Sequence, residues 1–115
     1  MKEKELWFRP DMKDDLDARK LRATFRAECD PAKGNCYEPG DHVRGRIYDG
    51  VAFCDKTYKL VTVSVELKPI REFKPEDFVS SDMKSQTDLM EKFPGYYGRL
   101  FDDNETVRRI GIDYR

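Results

Sequence analysis

Apolar and polar residues alternate most regularly in "YKLVTVSVEL", where Val61, Val63, Val65 and Leu67 share one parity and Thr62, Ser64 and Glu66 the other. Side chains on a strand point to opposite faces in turn, so this stretch predicts a half-buried strand. A second alternation runs from Leu21 to Glu28: Leu21, Ala23, Phe25 and Ala27 on a core face, Arg22, Thr24, Arg26 and Glu28 on a polar, binding face. "ELWFR" near the start reads as a short aromatic strand. "DHVRGRIYDGVAFC" reads as two strands around Asp49-Gly50, a dipeptide suited to the positive backbone angles of a tight hairpin. In the last strand, "ETVRRIGIDYR", Arg108 and Arg109 interrupt the alternation, which predicts one bulge or twist.

Helical spacing appears in three places. Pro10 suits a first helical turn, and Met12 and Leu16 recur four apart, giving one short helix over about residues 10 to 19. Pro75 opens a turn through "PEDFVSSD", with Glu76 and Asp77 where negative charge meets a helix N-terminus. Ser85 and Asp88 form a capping pattern ahead of Leu89, Met90 and Phe93, in a helix that Pro94-Gly95 is expected to end. "CDPAKGNCYEPGD" is a loop, the kind of segment that often carries function. At its end Gly40 is expected to take the unusual backbone angle while the Asp41 side chain bonds nearby amides. The order is strand, helix, four strands, two helices, strand. It suits an α+β fold: a small mixed β-barrel of five to six strands with flanking helices.

The chain has 115 residues, within the range of one domain, so 1–115 is expected to form a single unit with no linker. Charged residues make up 39% against 38% hydrophobic, so the core must be small and the aromatics must supply much of its volume. Lysine and arginine number 22 against 23 acids, which argues against a protein that grips double-stranded DNA along its length. Nucleic-acid contact is expected to be local. No apolar run approaches the ~20 residues of a membrane span, and "MKEKELWFRP" lacks the apolar middle of a secretory signal, so no membrane association and a cytoplasmic location are expected. Cys29, Cys36 and Cys54 are odd in number, which fits reduced thiols better than a disulfide framework. A zinc site is the alternative, with His42 downstream. Structural zinc ligands usually pair two to four residues apart, however, and no metal or cofactor is expected.

"DARKLRATFR", "YEPGDHVR", "EFKPEDF", "SQTDLMEKFPG" and "ETVRRIGIDYR" resemble, in order, the landmarks of the ASCH family, and they span nearly the whole chain. That family belongs to the PUA-like barrels. Its pattern includes Gly-x-Lys-Thr-x-Thr-x-Arg and a Gly-Asp pair, which Gly40-Asp41 matches. The resemblance implies a barrel beside a cleft that takes RNA or a modified nucleoside. It also implies a second possibility, since small bacterial members hydrolyse the amide of N4-acetylcytidine with a lysine, a threonine and a glutamate.

Thr24 and Arg26 match the end of the motif. Leu21 stands where the family has its lysine, Lys20 lies one position earlier, and Arg22 replaces the first threonine. The glutamate falls at Asp82. An amidase would thus use Thr24 activated by Lys20, with Asp82 handling the leaving amine's proton. In an extended chain Lys20 and Thr24 would sit about 13 Å apart at roughly 3.3 Å per residue, so a helix end or bulge must fold the lysine back. Arg22 cannot replace it as a base, because a guanidinium stays protonated.

A binder would use arginine forks at Arg22, Arg26 and Arg44 for phosphate or base edges, with Tyr37, Trp7 or Tyr48 stacking a base. The same arginines could instead pair with surface acids, and Thr24 could be an ordinary strand threonine. His42, the only histidine, reads as a strand residue. Three classes stay open: a module binding RNA or a nucleoside, an amidohydrolase, and a protein-interaction domain with an exposed apolar patch.

Overall fold

The computed structural model describes residues 3–115. Five strands form one sheet in the order β1-β3-β4-β5-β2: β1 Lys4–Phe8, β2 Ala23–Arg26, β3 His42–Tyr48, β4 Phe53–Pro69 and β5 Thr106–Tyr114. β1 pairs parallel with β3 and every other pairing is antiparallel. A parallel pair needs a long crossover. Here the crossover carries a 3-10 turn at Pro10–Met12, helix α1 over Lys13–Asp17, and β2 itself. The sheet curls until its two edge strands face each other, where Arg26 of β2 donates to the Trp7 carbonyl of β1 at 2.8 Å. The architecture is therefore a curled half-barrel with α1 and helix α2 (Gln86–Tyr97), an α+β fold of the expected class.

Two buried clusters hold it together. One fills the concave side with Leu6, Phe8, Leu21, Val43, Leu60 and Ile110. The other lies under α2 and joins Phe25, Phe73 and Phe78, whose rings meet edge-on or stacked, to Leu89 and Phe93. Aromatic rings supply much of this second core, which is how a chain this rich in charge fills its interior.

Several expectations change in the folded chain. The two strands read from "VAFC" and "YKLVTVSVEL" are one 17-residue strand, since "DKT" between them has no glycine or proline to break it. Its valines do not share a face. Tyr58, Leu60 and Thr62 point inward, then a bulge at Val63 shifts the parity, leaving Val63 53% exposed while Val65 packs on the core. The irregularity expected in the last strand is thus on its partner. The bulge brings Ser64 opposite Gly111, where a Cβ would clash with Ser64 Oγ. β2 is shorter than residues 21–28 and is covered on both faces. The loop after Phe78 runs beside it, with Arg22 and Ala23 N–H donating to the Ser80 carbonyl at 2.7 and 3.3 Å.

α2 runs through Pro94-Gly95 and ends at Gly98. Proline removes one helical hydrogen bond, but its φ is helical, and Phe93 and Tyr97 continue the buried stripe across it. Ser85 caps this helix by accepting from Asp88 N–H at 3.1 Å. Gly40 has φ +92°, and Asp41 accepts from Glu38 N–H at 2.8 Å, as read from the sequence. Cys29 and Cys36 form a disulfide, which corrects the expectation of three reduced thiols. The single turn Pro31–Lys33 and the left-handed Gly34 fold the intervening loop back on itself, bringing the two Cα atoms within 4.8 Å. Among the described residues no helix is long and apolar enough to cross a membrane.

Candidate functional site

The seam between β1 and β2 forms a cleft. Its inner compartment, about 260 Å³, is lined by Trp7, Phe8 and Arg9 at the end of β1, Met12, Arg26 of β2, Tyr48 of β3, Asp82, and Tyr96 and Tyr97 in the last turn of α2. Trp7, Arg26 and Tyr97 also line an outer compartment of about 1000 Å³, walled by residues 31–35 and Tyr37. The disulfide staples the base of that wall.

Two open sheet edges would ordinarily invite another strand. Here side chains occupy them. Tyr37 hydroxyl donates to the Glu5 carbonyl, Arg26 to the Trp7 carbonyl, and Ala27 N–H donates to the Tyr97 hydroxyl at 2.9 Å. Burial pushes the Tyr37 and Tyr97 phenols up from their ordinary range, so both stay neutral partners. These side chains leave little free backbone at the seam.

Asp82 organises the floor. It is 5% exposed; its Oδ2 accepts from the Thr24 hydroxyl at 2.5 Å and its Oδ1 from Phe25 N–H at 3.1 Å. Arg26 Nη1 stands 3.8 Å from Oδ2, too long for a hydrogen bond but close enough to offset the buried charge. Arg26 also lies 5.5 Å from the Phe8 ring centre. Arg9 donates to the Asp82 carbonyl at 3.0 Å, to Asp11 at 2.9 Å and to the Tyr96 hydroxyl. Arg9 is therefore committed to structure on three sides, whereas Arg26, among the described residues, makes one hydrogen bond, to the Trp7 carbonyl, and lines the cleft.

The residues expected at a site divide clearly. Thr24, Asp82 and Arg26 come together, and Tyr37 shares the outer compartment with Arg26. Lys20 does not: its side chain is exposed and, among the described residues, makes no hydrogen bond or ion pair, while its backbone N–H donates to Asp15. Leu21, at the family's lysine offset, is 1% exposed in the core. Arg22 pairs with Asp113 at 2.6 Å on exposed surface, and Arg44, which lines neither compartment, pairs at 3.1 Å with Glu3 at the rim of the outer one. The face shared by Arg22 and Thr24 in an ideal strand is lost because Arg22 lies before β2 begins. Among the described residues no group of three or more His, Cys, Asp or Glu could hold a metal, and the disulfide consumes two of the thiols a zinc site would need.

Sequence reading missed Arg9, Tyr96 and Tyr97. Ending the helix at Pro94 removed both tyrosines from view. The signal was present, since Leu89, Phe93 and Tyr97 continue at four-residue steps.

The sequence matches no protein-family profile and no curated protein. The fold does match solved structures. A protein from Enterococcus faecalis, of a family designated DUF984, aligns with a TM-score of 0.67 at 12% identity over 99% of this chain and 81% of that one. A structure described as hypothetical protein PH0355 aligns at 0.65 and 13% identity over 99% and 100%. The ASCH domain from Lactobacillus crispatus aligns at 0.63 and 12% identity over 96% and 78%. At such identities the likeness is one of fold: this chain shares the α+β architecture of these structures, the ASCH domain among them, as a curled half-barrel with its cleft at the open seam.

Proposed function

We propose that the cleft binds a nucleotide unit of RNA or a modified nucleoside. The observation that carries this reading is Arg26, held by the Trp7 carbonyl, close to Asp82, and lining a compartment walled by Trp7, Tyr48, Tyr96 and Tyr97. A guanidinium fork among aromatic faces suits a base or phosphate, because rings stack on bases and the fork pairs with planar acceptors. A volume near 260 Å³ suits one nucleoside rather than a duplex.

Titration of Trp7 fluorescence with nucleosides, their monophosphates and short single-stranded RNAs tests this. Saturable quenching is expected, and binding that engages phosphates weakens as salt rises, with a log–log slope of about −0.7 per phosphate. No response to any of these ligands refutes the proposal.

Hydrolysis of an acylated pyrimidine is less well supported. The Thr24 hydroxyl has no solvent exposure and is already donated to Asp82, and Lys20 does not approach it. Incubation with N4-acetylcytidine is therefore expected to release no cytidine; release that Thr24→Val abolishes would reverse this preference.

A further inference from the structure

On the convex face of the sheet, beside the cleft mouth, four side chains form a patch that the cleft does not use fully. β1 and β3 pair Trp7 with Arg46, and β3 and β4 pair Tyr48 with Phe53. These residues alternate with buried Leu6, Phe8 and Ile47, so they face outward. The rings touch: Trp7 lies 4.9 Å from Phe53 and 5.5 Å from Tyr48, and Tyr48 lies 4.7 Å from Phe53. The Arg46 guanidinium sits 3.8 Å above the Phe53 ring.

Two features set this patch apart from scattered surface aromatics. Trp7 is 51% exposed, so packing alone leaves about half of the indole in water. It is nevertheless fixed: Glu5 accepts from the indole N–H at 3.0 Å and pairs with Arg46 at 3.5 Å, so one carboxylate holds ring and guanidinium in place. Such preorganisation lowers the entropy lost when a flat ligand stacks. The patch is also continuous with the cleft, since Trp7 and Tyr48 line its inner compartment while Phe53 and Arg46 lie outside it.

Resting on the reading of the cleft as a nucleotide site, we infer that the ligand is a single-stranded oligonucleotide, whose next base stacks on the Trp7–Arg46–Phe53 platform. Rings stack on any base, and a guanidinium plane does so with a cation to meet the strand's phosphates. A protein partner would have to desolvate Arg46 and Glu5 at the centre of a small patch. Interface centres usually exclude charge.

The test compares uridine 5′-monophosphate, read by Trp7 quenching, with a fluorophore-labelled uridine hexanucleotide, read by anisotropy, on wild type, Phe53→Ala and Arg46→Gln. Ribose and deoxyribose strands as separate arms identify the sugar. The expected result is tighter binding of the hexanucleotide than of the monophosphate. Each substitution should weaken the hexanucleotide about tenfold, in line with the loss of one stacked base, and leave the monophosphate within about twofold. Using two variants on different strands guards against one of them misfolding, which circular dichroism reports. Equal affinity for monophosphate and hexanucleotide, or equal weakening of both by the variants, overturns the platform while leaving the cleft reading intact. If neither probe binds wild type, both readings fall.

Discussion

Asp82→Ala probes the floor of the cleft directly. The substitution deletes both oxygens that accept from the Thr24 hydroxyl and Phe25 N–H, donors belonging to residues with no solvent exposure. A buried donor left without a partner costs roughly 1–3 kcal/mol, so two give about 2–6 kcal/mol. A water entering the vacated space trims the upper end, and about 2–5 kcal/mol is expected. Against a total stability of roughly 6–17 kcal/mol for a chain of this size, that loss is large. Asp82→Asn should cost only about 1–2 kcal/mol, because its amide oxygen can keep Phe25 N–H while its NH2 donates to Thr24 Oγ1.

The pair can be isolated by a cycle. Thr24→Val in the wild-type background removes a bond to a carboxylate, but in the Asp82→Ala background it removes an orphaned hydroxyl. The double variant should therefore lose at least about 1 kcal/mol less than the sum of the singles. Urea unfolding at neutral pH, with unchanged denaturant slope, measures all four proteins. A cost below about 1 kcal/mol for Asp82→Ala, or strict additivity in the cycle, would refute the view that this carboxylate organises β2 and the site.

Four further outcomes are expected. Arg26→Met should weaken binding of uridine 5′-monophosphate at least about tenfold, the value of a lost charge-assisted hydrogen bond, while costing about 1 kcal/mol in urea unfolding. Equal affinity in that variant would move recognition away from Arg26. Reduction of the Cys29–Cys36 bridge by a dithiol should cost about 2–3 kcal/mol from loop entropy, read as a lower urea midpoint that Cys29→Ser does not show on adding reductant. Gly111→Ala should cost about 1–3 kcal/mol because its Cβ would meet Ser64 Oγ, and adding Ser64→Ala should recover part of that loss; no recovery would place the strain elsewhere. The Lys4 ammonium, hydrogen-bonded to Asp41, holds that carboxyl below its ordinary range. Its contribution is thus present above the unfolded value of about 3.9 and is lost as pH falls through the lower native one. The stability gap between wild type and Asp41→Asn should accordingly shrink in acid, and a gap that widens there would contradict the assignment.

Local chemistry was legible along the chain wherever a few neighbours decide the outcome. The Ser85 cap, the Gly40-Asp41 turn, the Pro75 turn and the hairpin at Asp49-Gly50 all depend on backbone groups within four residues; the first two form as read, the Pro75 turn is a short 3-10 turn, Pro75–Phe78, and in the hairpin Gly50 alone takes a positive φ. The fold class was also readable, through the order of strands and helices and the landmarks that resemble the ASCH family.

What only the tertiary structure decided were the features that long-range packing sets. Strand parity in β4 depends on a bulge opposite Gly111, so Val63 faces water although its pattern points to a core. Thr24 is buried because residues 80–82 lie along β2, which period-two alternation cannot show. Helix α2 passes Pro94 because burying Phe93 and Tyr97 outweighs one missing hydrogen bond. Arg22 and Arg44 have the same chemistry as Arg26, yet they pair with Asp113 and Glu3 on the exterior. A side chain's type is written in the sequence, but its partner is chosen by the fold: the curl of the sheet brings two edges together and turns the residues at that seam toward a shared cleft.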